Sequence, residues 1–62
     1  MCESNAYIIK DGREELLLEK VDKLIPDGDT IIMENIFGTK KIVKARIKEM
    51  ALVDHRIVLE QL

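Results

Sequence analysis

Apolar positions along this chain come in short runs separated by turn residues at regular spacing. Residues 5–10 carry Tyr7, Ile8 and Ile9, whose side chains favour extended backbone. Asp11-Gly12 follows and reads as a hairpin, because glycine takes a positive φ without penalty. The chain then returns as a second strand over residues 13–19. A competing reading covers much of the same stretch. Across residues 14–25, Leu17, Val21 and Leu24 share one helical face, with Leu18 and Ile25 beside them. Leu, Glu and Lys are good helix formers, so periodicity alone predicts a helix here.

Pro26-Asp27-Gly28-Asp29 predicts a turn, with proline presetting its first position and Gly28 at positive φ. Residues 30–34 are β-branched and short, a strand. Phe37-Gly38-Thr39 reads as a second tight turn. In residues 43–48, Val43, Ala45 and Ile47 alternate with Lys44, Arg46 and Lys48, which predicts a strand with one buried face. Residues 50–54 form a connection. Residues 55–59 make the last strand, with Ile57 and Leu59 on one face and Arg56, Val58 and Glu60 on the other.

Regularly spaced short strands predict an all-β fold, a barrel of five to seven strands and of SH3 or Sm size. Closure removes the unpaired edges that so small a sheet can hardly expose. The predicted core is Ile8, Leu17, Val21, Ile31, Met33, Val43, Ile47, Ile57 and Leu59. No repeat, low-complexity tract or linker interrupts the chain, so residues 1–62 read as one domain.

Composition narrows this picture. At 62 residues, the core of such a chain is worth only about 3–5 kcal/mol. A lone cysteine cannot form an internal disulfide, so either packing is unusually good or the chain oligomerises. The apolar fraction of 47% argues for a folded core over disorder. A net charge of −2 excludes a strong basic field over the whole chain, and Tyr7 and Phe37 are the only aromatic residues. No apolar run approaches the roughly 20 residues that span a bilayer, and no signal-peptide pattern opens the chain. A cytoplasmic location with a reduced thiol is expected.

Cys2 carries the most available chemistry. A small residue at this position allows removal of Met1, and the mature chain then begins with cysteine. Such a residue offers its α-amine and thiolate to a metal, with the backbone amide of Glu3 as a third donor. Free amines and thiols titrate near about 8 and about 8.5, within reach of metal-driven proton release. Ser4 and Asn5 are candidates to hydrogen-bond the thiolate, and His55 is the only histidine. A nucleophilic role for Cys2 needs a base, which only His55 offers, and no residue stands out to orient it. Glu14 and Glu15 point to opposite faces of a strand, so they form no acid–base pair. The three glycines sit singly in turns and make no phosphate loop. Enzyme function is not expected.

The ordered set of Met1-Cys2, Asp11-Gly12, Val21-Asp22 before Pro-Asp-Gly-Asp, Ile36-Phe37-Gly38, Ile47-Lys48-Glu49 and residues 55–59 resembles the CooT family of small nickel-binding proteins. The resemblance covers nearly the whole chain. It implies a small β-barrel, dimeric through its N-terminal region, that handles nickel for maturation of nickel enzymes such as carbon monoxide dehydrogenase. It implies that Cys2 is the metal residue and that residues 14–25 are strand. The HypC hydrogenase-maturation chaperones also begin with Met-Cys, but their proline soon after the cysteine is missing here. Thiolate and amide donors suit square-planar Ni(II), and a two-fold dimer supplies a full set of four. Donor chemistry alone fits copper and zinc as well, so nickel enters through the resemblance. The alternative is RNA binding by a basic strand face built from Lys40, Lys41, Lys44, Arg46 and Lys48. In a third reading, the chain is an interaction module whose exposed edge binds a client protein.

Overall fold

Alternation in the sequence becomes alternation across a closed sheet. The structure, a computed structural model, describes residues 3–62. Its strands are β1 (Ser4–Lys10), β2 (Arg13–Asp27), β3 (Thr30–Asn35), β4 (Lys40–Ala51) and β5 (Arg56–Gln61). Strands adjacent in the chain pair antiparallel, and a parallel pairing of β1 with β5 closes the barrel. The all-β barrel read from the sequence is therefore present, with five strands.

Two long strands serve both halves of the barrel. Arg13 to Val21 of β2 pairs with β1, and Val21 to Asp27 pairs with β3. Lys40 to Lys44 of β4 pairs with β3, and Ala45 to Ala51 pairs with β5. The bends come from bulges. Between the pairs Ser4–Val21 and Ala6–Leu18, β2 carries one residue more than β1, and Lys20 there has φ +55°. Another register shift separates Val21 from Lys23 against β3.

These bulges explain why the helix predicted over residues 14–25 does not form. Inward positions on β2 fall at Leu18, Val21 and Leu24, three apart instead of two. Bulged strand spacing thus imitates a helical stripe. The ladders to β1 and β3 decide the outcome, because tertiary pairing outweighs local propensity.

The core contains Ala6, Ile8, Leu18, Val21, Ile31, Met33, Ala45, Ile57 and Leu59, with Met33 and Leu59 fully buried. Three expected members differ. Leu17 and Val43 are half-buried against this cluster, while Ile47 is 37% exposed. Ile47 points inward opposite Leu59, but β3 begins at Thr30, whose partner is Lys44. Beyond that point β4 has only β5 beside it. Two further boundaries shift: β2 continues through Pro26 to Asp27, and β4 continues to Ala51. The turn expected over residues 26–29 tightens to Gly28-Asp29, between the paired Asp27 and Thr30.

The first hairpin turns on Asp11 (φ +51°) and Gly12 (φ +77°), the two positive values that match the twist of paired strands. The β3–β4 turn is held by Asn35, which is 9% exposed. Its side-chain oxygen accepts the amide N–H groups of Phe37 (3.0 Å) and Thr39 (2.9 Å). Its own N–H donates to the carbonyl of Thr39 at 3.0 Å. Among the described residues, no helix is long and apolar enough to cross a membrane.

Candidate functional site

The start of β1 is wedged between two elements. Ser4 lies opposite Val21 on β2, and Asn5 lies opposite Arg56 on β5. The Asn5 N–H donates to the His55 carbonyl at 2.9 Å, and the Asn5 side-chain oxygen accepts the Lys20 N–H at 3.2 Å. One residue thus ties the N-terminal strand to the β2 bulge and to the turn before β5. Both contacts need special backbone: Lys20 and His55 each have positive φ.

Cys2, the expected metal residue, lies outside the described residues. Of its expected neighbours, Glu3, Ser4 and Asn5 are half-buried, and the His55 side chain is exposed. Register brings the His55 backbone beside the start of β1, which the sequence separation conceals. The Asn5 side-chain oxygen accepts from Lys20, which leaves the side-chain N–H groups, the donors a thiolate would need, without a partner among the described residues. No group of three or more His, Cys, Asp or Glu among the described residues is placed to hold a metal.

The five basic residues grouped by sequence do not form one stripe. Outward positions of β4 are Lys40, Ile42, Lys44, Arg46 and Glu49, judged by their partners Glu34, Ile32, Thr30, Glu60 and Val58. Lys41 lies opposite the buried Met33, on the other face. Lys48 falls in the register shift between Ile47 and Glu49, so Glu49 continues the outer face in its place. Arg46 is engaged by Glu60, with Nε at 2.9 Å and Nη2 at 2.6 Å from the same oxygen. That hydrogen bond, together with the charge of Arg46 and a smaller contribution from Lys48, holds the Glu60 carboxyl below its ordinary range. Lys40 and Lys44 remain, one on each side of Ile42.

Sequence reasoning missed the surface around Ile42. Ile25, Ile32 and Ile42 are register partners across β2, β3 and β4, with Ile25 at 53% and Ile42 at 67% exposure. Each strand contributes one outward isoleucine, which is unremarkable alone. Only the register shows that the three align.

Comparison with known proteins agrees with the fold and reaches the family. Residues 1–60 match the model of the family described as CO dehydrogenase accessory protein CooT. The crystal structure of a CooT candidate from Carboxydothermus hydrogenoformans superposes with a TM-score of 0.90 at 54% identity, covering 98% of each chain. An uncharacterized protein of Archaeoglobus fulgidus is 37% identical over 43 residues, which is 69% of this chain and 96% of that one. The chain belongs to the CooT family of CO dehydrogenase accessory proteins.

Proposed function

We propose that this chain is a cytoplasmic Ni(II) carrier that acts as a homodimer and serves the maturation of a nickel enzyme of the CO dehydrogenase type. The ion is cargo, held by the Cys2 thiolate with nitrogen from its α-amine or from the Glu3 backbone amide. The observation that carries this reading is membership of the accessory family, over residues that include Cys2. The anchoring of β1 supports it. Asn5 fixes the strand three residues after Cys2, so the donor residue leaves a held scaffold.

The chemistry follows from the donors. A thiolate and a deprotonated nitrogen favour a square-planar d8 ion, and two copies related by a two-fold bring two of each. Binding releases protons, so affinity falls below neutral pH as protons compete for sulfur and nitrogen. The RNA reading gains nothing from the geometry, because the basic residues divide between two faces, an ion pair and a bulge.

The test is a calorimetric Ni(II) titration of protein with a free Cys2 N-terminus, run beside Cys2→Ser. The expected result is tight binding that the substitution abolishes. A residue left ahead of Cys2 blocks the amine and is expected to weaken binding. Equal binding by the wild type and Cys2→Ser removes Cys2 from the site and overturns the reading.

A further inference from the structure

We propose that the outer face of β2, β3 and β4 is a docking surface for an extended, acidic and apolar segment of a protein client. The proposal rests on the accessory role, since a carrier that hands on its cargo needs a face for the recipient. It extends that role by stating the chemistry of the segment recognised.

The centre of the surface is the row Ile25–Ile32–Ile42. Directly opposed residues on paired strands have Cβ atoms about 5 Å apart, so the three side chains form one apolar strip about 10 Å across. Polar rows flank it. On one side lie Lys23, Glu34 and Lys40, and on the other Asp27, Thr30 and Lys44. Lys23 is matched within its row, with its ammonium 3.7 Å from the Glu34 carboxylate. Lys40 and Lys44 make no ion pair among the described residues. The β4 side of the strip therefore reads cation, isoleucine, cation at every second residue.

That pattern defines its complement. In an extended segment, residues two apart share a face, so acid, apolar and acid at alternate positions match Lys40, Ile42 and Lys44 one for one. The apolar residue sits over Ile42, at the β4 end of the isoleucine strip, and the carboxylates meet the ammonium groups on either side of it.

A second copy of the chain fits less well. A two-fold axis across the strands sets Lys40 against Lys44 of the other copy. An axis along the strands sets Lys44 against Asp27, but Lys40 against Lys23. Neither arrangement satisfies both lysines. RNA fits poorly because the centre of the face is aliphatic and offers no ring for a base to stack on.

The test uses the native chain labelled with 15N and a blocked peptide Gly-Glu-Ser-Ile-Ser-Glu-Gly as the probe. The expected result is saturable amide shifts in residues 23–27, 30–34 and 40–44. Lys40→Glu and Lys44→Glu are each expected to weaken binding about ten-fold or more, the effect of losing one charge-assisted contact. Ile42→Asp is expected to abolish binding while leaving the dimer mass and the nickel titration unchanged. Cys2→Ser is expected to bind the peptide as the wild type does, so failure of the nickel reading and failure of this one are separable. Absence of shifts at millimolar peptide overturns the proposal, as do shifts confined to other strands. Loss of the dimer in Ile42→Asp assigns the face to a second copy instead. Tighter binding of a uridine dodecamer at the same amides assigns it to RNA.

Discussion

Val58 and Ile42 both point outward from the barrel, yet the chain covers one and leaves the other bare. Val58 is only 3% exposed. It lies between Tyr7 on β1 and Glu49 on β4, and Arg56 and Glu60 flank it on its own strand. The Arg56 guanidinium lies 4.8 Å over the Tyr7 ring and is paired with Glu14. Glu60 is drawn to Arg46. Large and paired side chains thus roof the outer face of the β1–β5 half. On the β2–β3–β4 half, Lys23 and Glu34 pair with each other beside the isoleucine row, but Lys40 and Lys44, which flank Ile42 on its own strand, make no ion pair among the described residues, and Ile42 remains two-thirds exposed. Outward position alone does not set burial. What sets it is whether neighbouring side chains are long enough, and held firmly enough, to lie across.

The most forceful way to break this comparison is to place a carboxylate at each position. Val58→Asp buries an unmatched charge and is expected to unfold the chain, whose core offers only about 3–5 kcal/mol. Ile42→Asp is expected to change stability by about 0.5 kcal/mol or less, as surface substitutions usually do. Thermal melts followed by circular dichroism separate the two. Equal losses from both would show that the isoleucine row is covered in solution.

Asn35→Ala is next in size. It leaves the Phe37 and Thr39 N–H groups without their acceptor, and the expected loss is about 1–3 kcal/mol. Hydrogen exchange should accelerate first at those two amides. Arg56→Ala removes part of the roof over Val58 and the contact with Tyr7, with an expected cost of about 1 kcal/mol. Denaturant titration of Arg56→Ala with Val58→Ala should be non-additive, because the two groups belong to one cluster.

The barrel was legible because turn chemistry and strand alternation survive in most of the chain. Asp11-Gly12 and the alternation beginning at Val43 both do what they signal. Legibility failed where bulges reset the period. On β2, they space Leu18, Val21 and Leu24 like a helix, and on β4, Lys48 drops out of the face that Lys44 and Arg46 share. The candidate site was legible as chemistry and not as geometry. Cys2 stands out in a sequence with one cysteine, but the closeness of Asn5 to His55 depends on a parallel closure between the two ends of the chain. The isoleucine row is a product of register, which no single strand reveals.

The smallest expected effect concerns the Arg46–Glu60 pair. Its geometry lowers the Glu60 pKa, so the pair's stabilisation is present above the carboxylate's unfolded value and fades as pH falls through the lower folded value. Titration by carbon-detected NMR should show Glu60 protonating at lower pH than an unpaired glutamate. Arg46→Gln should return it toward the ordinary range. Both residues are solvent-exposed enough that salt should shrink the difference.

Native mass spectrometry of the nickel-loaded chain with Cys2 at its N-terminus tests the central claim most directly. The account predicts one nickel ion in a complex of two chains, and neither the metal nor its pH-dependent release in Cys2→Ser. A complex of one chain with one nickel, unchanged by Cys2→Ser, would contradict it.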